Sequence, residues 1–66
     1  MRGVVDTFDA AIIRSKPSVF GDEICALENG SVLEIDEEAS TKDFYKVYNA
    51  AGIDGYCMKM YLIVEE

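Results

Sequence analysis

The 66-residue chain contains no histidine and no tryptophan, a single proline, two cysteines, and six basic side chains against thirteen acidic ones. Each shortage removes a class of function. Without histidine the commonest general base is missing, and with it the usual nitrogen ligand of zinc. Cys25 and Cys57 stand far apart in sequence rather than in a close-spaced metal pattern, so a zinc site lacks ligands as well as geometry. They read as small core hydrophobes, reduced and inert, with one disulfide arithmetically open if the two side chains face each other. The formal charge of −7 repels phosphate backbones, which excludes nucleic acid as a partner and an anionic membrane approached by charge alone. That charge reads as a solubility device rather than as steering toward a basic partner. No window approaches the roughly 20 apolar residues of a membrane helix. Asp6 and Asp9 interrupt any signal-peptide run. The expected location is cytoplasmic if Met1 is the native start, and extracellular if the domain is excised from a wall-targeted protein.

What is present is short and strand-forming. A chain of this length makes one domain, residues 1–66 with its core over about 3–64, and buries only about 60% of the surface its unfolded form exposes. Apolar, β-branched segments recur between turn-forming residues, the pattern of an all-β sandwich or barrel. Strands are expected over Gly3–Thr7, Ala11–Arg14, Glu23–Leu27, Ser31–Asp36, Phe44–Asn49, Ile53–Met58 and Leu62–Val64, with Glu65 and Glu66 fraying. Pro17 ends the second of these, because proline lacks a backbone donor and restricts its predecessor. Asn29-Gly30 is a tight-turn signal, and Lys59-Met60-Tyr61 suits one 3-10 turn.

Period-2 alternation assigns faces. Leu33 and Ile35 point inward, opposite Glu34. Phe44, Lys46 and Tyr48 share one face of their strand and Tyr45 and Val47 the other; Asp54, Tyr56 and Met58 oppose Ile53, Gly55 and Cys57. If Val47 and Cys57 face the core, Phe44 and Tyr56 meet on the outer face of one hairpin. Phe20, in the loop after Pro17, is costly to expose unless it folds back on the barrel or meets a ligand.

Three phenylalanines and four tyrosines exceed what so small a core encloses. Two readings stand side by side: they cap the barrel ends, with Tyr45 and Tyr61 in the core, or some of Phe20, Phe44, Tyr48 and Tyr56 form a ligand groove. In the second reading Lys46 and Asp54 flank the groove and fix a peptide's termini or charged side chains. Asp36-Glu37-Glu38 reads as a solvated loop rather than a calcium site, since its carboxylates are consecutive rather than alternating. No catalytic residue, metal ligand or cofactor motif is assigned.

In order, Ile12-Ile13-Arg14-Ser15-Lys16-Pro17-Ser18, Leu27-Glu28-Asn29-Gly30, Phe44-Tyr45-Lys46-Val47, Gly55-Tyr56-Cys57 and Met60-Tyr61-Leu62 resemble the motif series of the bacterial Src-homology-3 domains. The chain departs from that series at Lys16, where the family has glycine, at Phe44 and Tyr56, where it has tryptophans, and at Met60, where it has lysine. The resemblance implies an SH3-like barrel of five to seven short antiparallel strands with one 3-10 turn before the last. It further implies a non-catalytic binding module that recognises a peptide or a cell-wall peptidoglycan fragment through an aromatic groove. The alternative is a structural or assembly module that binds another protein, including a copy of itself.

Overall fold

A computed structural model describes residues 1–65. It has seven strands, β1 (Arg2–Val5), β2 (Ala10–Arg14), β3 (Glu23–Glu28), β4 (Val32–Asp36), β5 (Phe44–Tyr48), β6 (Asp54–Met58) and β7 (Leu62–Glu65), with a 3-10 turn at Lys59–Tyr61 leading into the last. All neighbours pair antiparallel, in the spatial order β3-β2-β6-β5-β4-β1-β7. The sheet curls into a small barrel around Val5, Ala11, Ile13, Leu33, Ile35, Val47, Cys57 and Leu62. These side chains come from alternate strand positions, so the period-2 pattern of the sequence is the pattern of burial. Leu33 and Ile35 are enclosed while Glu34 between them faces out. Each fully buried aliphatic side chain contributes about 1.5–3 kcal/mol, and in a chain this short few of them carry the fold.

The barrel turns its corner where β2 changes neighbour. A bulge between Ile13 and Arg14 shifts its register on β3, and Arg14 then pairs with Tyr56 of β6. Gly55 makes that crossing feasible. A Cβ there would lie 2.6 Å from the Arg14 carbonyl oxygen and 2.8 Å from Ile13 Cγ2, leaving no room for any side chain.

The β5–β6 connection is built by Asn49, whose Oδ1 accepts from the N–H groups of Ala51 and Ile53, and by Gly52 at φ +96°. Asparagine organising a turn around a positive-φ glycine is what that sequence signals.

Every strand differs from expectation by a residue or two at one end or both, and the differences at β1 and β7 bear on how the barrel closes. The first strand spans Arg2–Val5 rather than Gly3–Thr7: the Asp6 N–H donates to the Tyr61 carbonyl at 2.9 Å, and Val5, paired with Leu62 of β7 on one side, on the other donates to the Ser31 carbonyl and accepts from the Gly30 N–H, so that the strand gives way to the turn. The 3-10 turn therefore ends β1 as well as starting β7. Glu65, expected to fray, pairs with Arg2 across β1–β7, and Glu66 lies outside the described residues.

Candidate functional site

The outer face of the β5–β6 hairpin carries most of the residues singled out from sequence. Its register sets Phe44 opposite Met58, Lys46 opposite Tyr56, and Tyr48 opposite Asp54. Phe44 and Tyr56 thus share a face without standing opposite each other; Lys46 occupies the place across from Tyr56. Its ammonium lies 2.6 Å from Asp54 Oδ1 and 5.5 Å from the centre of the Tyr56 ring. The hydrogen bond to Asp54 is the main reason the Lys46 pKa is raised, against a smaller opposing effect of desolvation. Lys46 and Asp54 largely satisfy each other. Tyr48 is exposed at the far end of the strip.

Phe44 is not an open contact surface. It is buried to 5% although it sits on the outer face and lies apart from the main core. Chain from three other places encloses it. Thr41 closes over it through two bonds, its N–H to the Phe44 carbonyl at 2.8 Å and the Phe44 N–H to its Oγ1 at 3.3 Å. The Lys59 N–H donates to the Asp43 carbonyl at 2.9 Å, tying the 3-10 turn to the loop before β5. The third is the loop of residues 15–22, closed by Ser15 N–H to the Asp22 carbonyl, Asp22 N–H to Ser15 Oγ, and Arg14 Nη1–H to the Gly21 carbonyl at 3.0 Å. The result is a groove of about 240 Å³ lined by Val19, Lys42, Asp43, Phe44, Met58, Lys59 and Met60.

Of the six residues expected to form a site, Phe44 alone lines this groove. Lys46, Tyr48, Asp54 and Tyr56 continue from it along the hairpin. Phe20 neither folds back on the barrel nor packs in the groove; it is 94% exposed, and it is its neighbour Val19, itself half exposed, that lines the groove. Val19, Met58, Met60, Lys42 and Lys59 were not singled out from sequence. For Met58 a signal exists, since alternation puts it on the face of Tyr56. For the others none does, because they come from separate loops. Tyr45 and Tyr61 are half-buried and pack against the core from its rim, and Lys59 Nζ lies 4.9 Å above the Tyr45 ring.

The remaining reactive groups are occupied structurally. Both cysteines are free; Cys57 is fully buried, Cys25 half-buried. Burial pushes the Cys57 thiol up to about 11, and its Sγ–H donates to the Met58 carbonyl at 3.7 Å. Asp36 Oδ1 accepts from the N–H groups of Glu38 and Ala39, so this carboxylate shapes a turn. Among the described residues no three acidic or cysteine side chains gather as a metal-holding group.

A comparison with curated proteins gives no significant match. The model of the family described as bacterial SH3 domain matches residues 9–63. That span runs from the start of β2, through the loop that holds Val19 and both strands of the hairpin, into β7, and so contains every residue lining the groove. On that match and on its seven-stranded, antiparallel architecture with one 3-10 turn, the chain belongs to the bacterial SH3 domain family, a family of binding modules.

Proposed function

We propose that the domain binds an extended peptide, a wall stem peptide or a protein segment, in the groove between the loop of residues 15–22 and the 3-10 turn, and that it serves as a targeting or interaction unit without chemistry of its own. The observation that carries this reading is Phe44: an aromatic side chain on the outer face of a hairpin, floored into a slot whose other apolar walls are Val19, Met58 and Met60. At about 240 Å³ the slot falls below the roughly 300–1,000 Å³ of small-molecule pockets, so it suits one side chain of a longer ligand. The strip of Lys46, Tyr56, Asp54 and Tyr48 leads away from it along the strands and offers a track for the rest of the peptide. Titrating ¹⁵N-labelled domain with soluble wall stem peptides and with a proline-rich peptide tests the reading. Amide shifts clustered on Val19, Phe44, Met58 and Met60 with one of them support it; shifts elsewhere, or none with any of them, dismiss it.

A different observation favours assembly as the second reading. Val4 lies between Val32 and Ile63 in one row across β4, β1 and β7, and the latter two are 50% and 54% exposed. β7 is paired on one side only. An apolar row beside a free strand edge suits pairing with a second copy. Sedimentation of a concentration-dependent dimer supports this reading, and a strict monomer at every concentration dismisses it.

A further inference from the structure

Resting on the peptide-groove reading, we infer that the groove's occupant is an acidic peptide: an apolar side chain enters the slot over Phe44 while flanking carboxylates meet Lys42 and Lys59. The distribution of charge carries this. The chain holds six basic side chains against thirteen acidic ones, yet two of the six, Lys42 and Lys59, line this one slot, with Asp43 as its single acidic member. Neither lysine is held in an ion pair among the described residues, although Lys59 Nζ also lies over the Tyr45 ring. Among the described residues the ion pairs are Arg2 with Glu34 and Lys46 with Asp54. Lys42 and Lys59 come from the β4–β5 loop and the 3-10 turn, and the Lys59 N–H bond to the Asp43 carbonyl holds those two segments together.

The apolar half of the ligand follows from Val19, Phe44, Met58 and Met60. The two thioethers are unbranched and polarizable, so they adapt to more than one aliphatic shape. The overall charge of −7 does not override this local arrangement. At physiological ionic strength the screening length is about 8 Å, so a carboxylate seated in the groove responds to the two lysines at its rim more than to acidic side chains across the barrel. The domain's net charge and its ligand's charge therefore have the same sign.

The test compares two capped heptapeptides at 0.15 M salt, one with leucine between two glutamates in a glycine background, the other with lysines in place of the glutamates. Binding is followed both as affinity and through the methyl signals of Met58 and Met60. The glutamate peptide is expected to bind about tenfold more tightly, and the Lys42→Glu/Lys59→Glu variant is expected to reverse the order. Lys42→Glu alone, on an exposed loop, supplies the same sign of change if the double variant does not fold. Equal or tighter binding of the lysine peptide, with the Met58 and Met60 methyls moving, overturns the acidic preference and leaves the peptide groove standing. If neither peptide moves those methyls while a wall stem peptide or proline-rich peptide does, the acidic preference falls alone. If no peptide moves them, both fall.

Discussion

Two depressions on the domain differ in character, and the larger of the pair is the poorer binding site. One, of about 410 Å³, is bordered by Met1, Arg2, Glu34 and Glu65; the other, of about 240 Å³, is the slot over Phe44. In the first, Arg2 Nε lies 3.5 Å from Glu34 Oε2, with both side chains well exposed, so the charges are matched and solvated and no aromatic lies beneath them. In the second, the exposed side chains of Val19 and Met60 stand over an almost fully buried ring, and two lysines outside any ion pair among the described residues stand at the edge. Binding energy comes from apolar surface that loses water and from charge that finds a partner on association. Both are on offer at the smaller site only.

Substitutions on the two sides sharpen this contrast. The largest effect is expected at Phe44. Phe44→Ala should cost about 3 kcal/mol, a large share of the stability of a small domain, and abolish binding. Phe44→Leu should cost under about 1.5 kcal/mol and still weaken binding, which separates the slot's shape from the fold in urea melts paired with titrations.

Next comes Cys57, on the inner face of the groove-bearing hairpin. Its folded pKa is raised by burial from 9.0 to about 11, so the folded state keeps a proton that the unfolded chain releases. The stability associated with that proton is complete below pH 9 and declines toward pH 11, by about 2–3 kcal/mol. Cys57→Ala should start lower, because it leaves a cavity, but lack that portion of the alkaline decline. Parallel slopes for the two proteins in alkaline melts would count against the buried thiol.

A smaller change in stability is expected from Tyr56→Ala. It removes the ring beneath Lys46, worth about 0.5–2 kcal/mol at a half-buried position, and weakens peptide binding several-fold by interrupting the track. Tyr61→Ala should do the reverse, since the Tyr61 ring packs against the core. Smallest of all, Arg2→Ala at the larger depression should change stability by less than about 1 kcal/mol and leave binding unaltered.

The strands were legible because each depends on near neighbours in sequence. Leu33 and Ile35 alternate with Glu34, Asn29-Gly30 makes its own turn, and Lys59-Met60-Tyr61 is too short for anything but a single 3-10 turn. Membership of Phe44, Lys46, Tyr48, Asp54, Tyr56 and Met58 in one outer face was legible for the same reason. What closes over that face was not. The slot over Phe44 depends on hydrogen bonds outside the strand ladders, Arg14 to Gly21 across one loop and Lys59 to Asp43 between separate segments, and alternation within a strand carries no trace of them. For Phe20 the sequence leaves two expectations, folding back on the barrel or meeting a ligand, because exposing an aromatic is costly. The geometry of its loop instead brings Val19 to the groove and leaves Phe20 in solvent. Lys42 and Lys59 lie on different loops, and only the closed barrel makes them neighbours of one slot.

The three methionines allow the comparison to be read in one experiment. Met58 and Met60 line the slot over Phe44, and Met1 borders the larger depression. In a domain labelled with ¹³C at the methionine methyls, titration with the peptide that binds should shift Met58 and Met60 and leave Met1 in place. Movement of Met1 with Met58 and Met60 unchanged would contradict the account.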